Sequence, residues 1–192
     1  DSLLVVGKSD GLFIFSNSVL KPHPLSWKLG DPFVVDLSVD SFDRLWIATG
    51  ANGIYFIQGD SFIHIKETKE NIVNNIYIDD LGKVWGATNK GVVKIEILDK
   101  DGRLADNYRF QRITIHKGLM SNEVESVFFY NDMLYAYGQN TISIIHEELL
   151  VPDSTIPNVI LKGVKVNGYE YSVQSSYDLS SNENKFSIDF IC

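Results

Sequence analysis

The stretch Asp79-Asp80-Leu81-Gly82-Lys83-Val84-Trp85-Gly86-Ala87-Thr88-Asn89-Lys90-Gly91-Val92 decides how the rest of the chain is read. Asp79 to Gly82 has the chemistry of a tight reversal: an aspartate side chain that caps its own backbone, then a glycine free to take positive φ. Lys83 to Thr88 reads as a strand, and Gly91 turns the chain into a third. Just upstream, Asn75-Ile76-Tyr77-Ile78-Asp79 alternates with period two, the mark of a strand with one face buried. The unit is therefore strand, tight turn, strand, glycine turn, strand.

That unit recurs. Arg44-Leu45-Trp46-Ile47-Ala48-Thr49-Gly50-Ala51-Asn52-Gly53-Ile54-Tyr55-Phe56 matches it with one residue more, preceded by Leu37 to Asp40 and the turn Ser41-Phe42-Asp43. A looser copy opens the chain at Leu3 to Phe15, with Gly11 in the place of Gly53 and Leu4 in the place of the tryptophan. Another runs from Val124 through Asn131-Asp132 to Ile144, with Tyr135 in that place. Gly11, Gly53, Gly91 and Thr141 stand 42, 38 and 50 residues apart. The long third interval contains a polar insertion, Asp99-Lys100-Asp101-Gly102-Arg103, read as an extended loop or hairpin tip. A period near ~40 built on three or four short strands belongs to β-propeller blades. In such blades Trp46 and Trp85 fill the gap between neighbours, while Ala48, Thr49, Ala87 and Thr88 suit a crowded approach to the axis.

Further alternation at Phe62 to Ile65 and Arg112 to His116 adds strands, and only 66–75 and 147–153 have room for a helical turn. After the linker punctuated by Pro152 and Pro157, the stretches Pro157 to Gly168 and Asn184 to Phe190 read as strands, with Asn167-Gly168 as a hairpin signal between alternating strands. Composition agrees: 44% hydrophobic and 12% aromatic residues among 192 demand a buried core. With 17 basic against 25 acidic residues, net charge −8, the chain repels phosphate backbones and anionic headgroups, so nucleic acid is a poor partner. No apolar run approaches ~20 residues, so this segment does not insert into a membrane. The one cysteine, Cys192, allows no intrachain disulfide, and the strand-like Leu3-Leu4-Val5-Val6 at the start reads as a cut inside a larger protein.

Asp79 to Thr88 followed by Gly91 resembles the blade repeat of two-component regulator propellers: aspartate, turn, glycine, a hydrophobic, tryptophan, a small residue, threonine, then glycine. Gly118-Leu119-Met120-Ser121-Asn122-Glu123-Val124 resembles the entry to the inner strand of such blades. Residues 157–192 are similar to the opening strands of the small β-sandwich that follows these propellers. The resemblance implies an all-β chain of three: residues 1–150 as the C-terminal blades of a propeller, 151–156 as a linker, and 157–192 as the truncated N-terminal part of an immunoglobulin-like sandwich. It further implies a periplasmic, extracytoplasmic part of an inner-membrane histidine kinase that binds a ligand, often an oligosaccharide in Bacteroidetes, and relays the signal to the remainder of the sensor.

Catalytic chemistry finds little support. His23, His64, His116 and His146 lack zinc-type spacing; His64 and His116 are expected in or beside strands. Asp99, Asp101 and Asp106 imitate a calcium loop, but Gly102 falls at loop position four, Arg103 occupies position five and Phe110 stands where a bidentate Glu is needed, so a solvated turn is expected. Asp40 with Asp43, and Asp79 with Asp80, are explained by the blade turn rather than as hydrolytic pairs. No catalytic residue, metal or cofactor is assigned. The structural positions are Trp46, Gly53, Asp79, Gly82, Trp85 and Gly91. Trp27, in the non-repeating His23-Pro24-Leu25-Ser26-Trp27 stretch, offers a flat face for a sugar, and His23 accompanies it; packing of this loop on its own blade is the favoured alternative. Besides the sensor, two readings stand: a protein-binding or dimerisation module, and a propeller lyase or glycan hydrolase. Three to four blades leave an open arc whose exposed edges need a cover, so self-association is expected.

Overall fold

The computed structural model describes residues 4–29, 33–98, 107–150, 160–173, 176, 178, 180–182 and 185–191. They form five antiparallel sheets with single turns of 3-10 helix as the only helical pieces. The chain divides into two compact units, Asp1–Val151 and Pro152–Cys192. Asp99, Asp101, Gly102, Asp106, Pro152, Pro157 and Cys192 lie outside the described residues.

Unit one holds four sheets. The first is β1 (Leu4–Lys8), β2 (Gly11–Ser16) and β3 (Val19–Pro22). The second is β4 (Val34–Val39), β5 (Leu45–Thr49), β6 (Ile54–Gln58) and β7 (Ser61–His64). The third is β8 (Val73–Ile78), β9 (Val84–Thr88), β10 (Gly91–Ile97) and β11 (Tyr108–Ile113). The fourth is β12 (Ser126–Tyr130), β13 (Met133–Gly138) and β14 (Thr141–His146). Each sheet is a meander in which neighbours in sequence are neighbours in space. The two four-stranded sheets are the two sequence repeats that carry tryptophan.

The register aligns the shorter sheets with them. Lys8 pairs with Gly11 as Thr88 pairs with Gly91, so Val5, opposite Ile14, occupies the place that Trp85 holds opposite Lys94. Leu4 is thus not at the tryptophan position, as the residue count from Gly11 had placed it; the hairpin of the second sheet has one residue more than those of the first and third, which displaced the count. Leu4 points the other way and is exposed. In the fourth sheet Gly138 pairs with Thr141 and Tyr135 lies opposite Ile144, so Tyr135 does take the tryptophan place.

Each of the first three sheets packs one face, here called the front, on the opposite face, the back, of the next. Trp46, Ala48, Ile54 and Phe56 meet Ile76, Val84, Val93 and Ile95 of the third sheet. Trp85, Ala87, Val92 and Ile113 meet Val127, Leu134, Ala136 and Ile145 of the fourth. Leu12 and Val5 meet Ile47, Tyr55 and Ile57 of the second. Alternation along each strand dictates this, since residues two apart share a face. The all-β propeller reading is correct, with one local exception: Thr114-Ile115-His116 does not continue β11 but enters a 3-10 turn, Ile115–Lys117, in which Lys117 N donates to Thr114 O and Gly118 closes it at φ 98°. His116 lies in that turn, while His64 ends β7, its ring stacked on Tyr55.

Unit two is one sheet, β15 (Ile160–Val166) flanked by β16 (Tyr169–Tyr171) and β17 (Phe186–Ile191). Asn167 and Gly168 both take positive φ in the β15–β16 turn, as a two-residue hairpin requires.

The two kinds of glycine turn should differ sharply in tolerance. A Cβ on Gly91 (φ 102°) would stand 2.2 Å from Ile113 O, and one on Gly53 2.3 Å from Thr68 O, whereas Gly82 (φ 76°) has open space around it. Gly91→Ala and Gly53→Ala are expected to cost about 3 kcal/mol or more, and Gly82→Ala only the about 1–2 kcal/mol of the left-handed backbone. Urea unfolding of the three variants checks this ranking.

Candidate functional site

The repeat residues come together around the first turn of each blade. The Asp40 carboxylate accepts hydrogen bonds from the backbone N–H of Phe42 and Arg44, from Arg44 Nε at 2.6 Å and from Trp46 Nε1 at 2.8 Å. Asp79 accepts from Leu81 N, Lys83 N and Trp85 Nε1. Burial raises the Asp40 carboxyl, but these bonds outweigh it and hold it below the ordinary aspartate value. Both carboxylates are thereby committed to the turn. Arg44 is buried with Asp40, whereas its counterpart Lys83 reaches Glu147 instead, which also receives Lys94. Lys94 stands 4.9 Å over the Trp85 ring, so Glu147 ties the third sheet to the end of the fourth.

Thr49 and Thr88 play a part unlike the one expected of small residues near an axis. Thr49 Oγ1 donates to Gly53 O and accepts from Asn52 N; Thr88 Oγ1 donates to Gly91 O and accepts from Lys90 N. They lock the second turn. Sequence reading also missed a link between inner strands: Asp36 Oδ2 accepts from Ile76 N and Asn75 Nδ2, and Asn75 Oδ1 in turn accepts from Val127 N. The 39-residue separation of Asp36 and Asn75, the same as that of Trp46 and Trp85, was the available signal.

The connection from each outer strand to the next inner strand contains a 3-10 turn that cradles the glycine hairpin of its own blade. Ser26 Oγ accepts from Leu12 N, and Thr68 Oγ1 accepts from Ile54 N. These are matched positions, so the His23 to Trp27 stretch is a repeated element despite its unrepeated sequence. In the third blade the cradle is made by backbone, with Gly91 N donating to Asn122 O and Val124 N to Thr88 O. Leu29 is buried and pins the first of these turns, Ser26–Leu29.

The structure places Trp27 and His23 on this one turn with different roles. His23 N donates to Leu12 O and its Nδ1 accepts from Leu25 N, so the ring caps the turn; burial lowers its pKa, favouring the neutral form that can accept. Trp27 is 75% exposed, with the Lys28 ammonium 5.9 Å from its ring centre. The loop packs on its own blade, with Leu29 as its buried anchor and Ser26 Oγ bonded to Leu12 N, while the Trp27 indole itself stays outside that packing. Among the described residues no group of three or more His, Cys, Asp or Glu could hold a metal ion, and no helix is long and apolar enough to cross a membrane.

Asp40→Ala should cost about 3–5 kcal/mol, because it strands the buried Arg44 guanidinium. Asp79→Ala should cost about 1–3 kcal/mol, the usual loss for orphaned buried donors. Since the folded Asp40 value is lowered, the advantage of the native protein over Asp40→Asn is complete above pH about 4 and fades as the pH falls through the folded value. Denaturant melts between pH 7 and pH 3 read both effects.

No family model matches the sequence, and no curated protein matches it either. Solved structures do. The extracellular domain assigned to the hybrid two-component system BT3049 of B. thetaiotaomicron aligns with a TM-score of 0.64 at 15% identity, over 98% of this chain and 27% of that one. The corresponding domain of BT4673 from the same organism aligns at 0.53 and 15%, over 98% and 26%. PorZ of Porphyromonas gingivalis, a surface component of the type-IX secretion system, aligns at 0.52 and 16%, over 73% and 23%. The chain thus spans about a quarter of the length of the structures it matches. It shares its fold with the extracellular domains of BT3049 and BT4673.

Proposed function

We propose that this chain is an extracytoplasmic sensing and relay segment of a two-component sensor, that its ligand is an oligosaccharide, and that it has no catalytic activity of its own. The observation that carries the reading is the fold shared along 98% of the chain with the extracellular domain of BT3049. The commitment of the Asp40 and Asp79 carboxylates to their turns supports a binding rather than a hydrolytic role. Trp27 is the residue through which a sugar would be met. An exposed indole offers an apolar face for the C–H side of a pyranose, and Lys28 beside it adds a donor for ring substituents. His23 acts behind it by fixing the turn.

The interaction-module reading is favoured by one observation, the fold likeness to PorZ, a secretion-system component. Calorimetry and tryptophan fluorescence against a panel of neutral and acidic oligosaccharides separate the two. Trp46 and Trp85 are fully buried, so any ligand-dependent shift of emission reports chiefly on Trp27. A bound glycan whose affinity drops at least tenfold in Trp27→Ala, with unfolding unchanged, is the expected result. Absence of binding to any glycan would favour the interaction module, and turnover of a glycan would show an enzyme.

A further inference from the structure

Three residues past the hairpin glycine, on the fronts of the first three sheets, stand Ile14, Phe56 and Lys94. Opposite them on the outer strands stand Lys21, Ile63 and Gln111. At the junction of the second and third sheets, protein fills the space in front of these positions. Phe56 is fully buried on Trp46, ring centres 4.6 Å apart, and Ile63 joins Ile97, Tyr108 and Phe110 of the third sheet in one apolar cluster. In front of the third sheet the turn Glu147–Leu150 does the same, with Lys94 bonded to Glu147 and Gln111 Nε2 donating to Leu150 O. Among the described residues, neither filling is found in front of the first sheet. The outer hairpin of the second sheet is short, ending β6 at Gln58, and the counterpart of Ile97 is Gly59, around which there is open space. A groove of about 280 Å³ is left on the front of β2 and β3. Its apolar side chains are Ile14, Val19 and Pro24, and its polar groups are the Ser16 hydroxyl, the Asn17 amide and the Lys21 ammonium.

We propose that this groove is a subsite for an anionic pyranose, a uronate or a sulfated sugar, whose charged group meets Lys21 while the adjoining sugar lies on Trp27. The inference rests on the reading of Trp27 as a sugar contact and adds the charge of the sugar beside it. Pro24 joins the two places. It belongs to the turn that carries Trp27, where Ser26 N donates to His23 O and Lys28 N to Leu25 O. That is the i to i+3 pattern of a 3-10 turn, which sets Trp27 about 6 Å beyond Pro24 and on the same side. Lys21 and Lys28 have no anionic partner among the described residues, whereas Lys8, Arg44, Lys83 and Lys94 each have one. The apolar side chains suit the C–H face of a pyranose, and a hydroxyl and an amide both donate and accept, as sugar hydroxyls require. An ammonium is a point charge that serves a carboxylate or a sulfate equally, without the planar fork of arginine. The volume lies just below the about 300–1,000 Å³ of small-molecule sites, so the groove holds one sugar unit rather than a chain of them. The net charge of −8 opposes anions at long range. In 0.15 M salt, charges beyond about 8 Å are screened, so the nearest cation decides.

Calorimetry of the 192-residue chain in about 0.15 M salt compares trigalacturonate with maltotriose, and galactose 6-sulfate with galactose. At least one acidic sugar is expected to bind about tenfold or more tighter than its neutral counterpart. Lys21→Met should cut that preference to within about twofold, and Lys21→Arg should keep most of it. Lys66→Met, on the corresponding turn of the second blade, should leave it unchanged. Lys21 and Lys66 are both exposed, so these variants should unfold like the native protein. Backbone amide shifts locate the ligand: Ser16, Asn17 and Lys21 are expected to move together with Trp27. Equal binding of acidic and neutral sugars, a preference that survives Lys21→Met, or shifts confined to other residues overturns the groove and leaves the Trp27 reading in place. A preference lost equally in Lys66→Met is diffuse attraction and also overturns it. If none of the four sugars binds while another glycan binds at Trp27, the groove alone falls; if no glycan binds at all, both readings fall.

Discussion

The buried aspartate that accepts an indole N–H is the constraint on which the rest of unit one depends. A tryptophan between two sheets brings the largest apolar surface of any side chain, and with it an N–H donor that costs about 1–3 kcal/mol if buried without a partner. Asp40 and Asp79 supply the acceptor six residues earlier, with the other lone pairs of the same carboxylates taken by two turn N–H groups. One side chain thus fixes a hairpin and aims a ring into the interface. The tryptophan cannot turn away without uncovering the carboxylate, and the turn cannot open without uncovering the tryptophan. Local geometry and the packing of neighbouring sheets are stabilised by the same bonds, so each blade is a cooperative unit.

The inner strands are coupled by a second device of similar logic. Asp36 and Asn75 sit beside bulges in β4 and β8, where the ladder skips a residue. A bulge turns a polar side chain out of the alternation and toward the neighbouring strand. Each then accepts the backbone N–H of an inner-strand residue in the following sheet, Ile76 and Val127 respectively. Sheets are therefore joined by hydrogen bonds near their inner strands and by apolar packing farther out. Such a stack transmits displacement from one blade to the next rather than absorbing it, because packed cores and satisfied polar networks are stiff.

Much of this was legible in the sequence because the repeat carries it. Asp79, Gly82, Trp85 and Gly91 announce a strand–turn–strand unit through turn chemistry and alternation, and the second copy at Arg44 to Phe56 confirms the period. What was not legible depends on register or on three-dimensional reach. Val5 against Leu4 at the tryptophan place is a one-residue question, settled only by the Lys8–Gly11 pairing. Thr88 looks merely small in sequence, yet its hydroxyl bridges Gly91 O and Lys90 N. Gly86, by contrast, is small because a Cβ there would press on Ile54 and Val93. Thr114 to His116 alternates like a strand, but Gly118, with its positive φ, draws the preceding residues into a 3-10 turn. The Asp36–Asn75 bond joins residues 39 apart on different sheets and has no local signature beyond that spacing.

Trp27 shows where such a scaffold leaves room to vary. In the first two blades the connection after the outer strand must do one thing, present an oxygen to the N–H that follows the hairpin glycine, and Ser26 and Thr68 both do it. The next position is freed from structural duty: it is Trp27 in one blade and an exposed Lys69 in the other. Residues with no role in holding the turn are the ones that can be chosen for what they meet outside it. An indole left in water forgoes the stabilisation that burial would give it, and neither the cradle nor the core of the first blade needs it there. The buried Trp46 and Trp85 are thus accounted for by architecture, whereas the exposed Trp27 holds neither its turn nor a sheet interface.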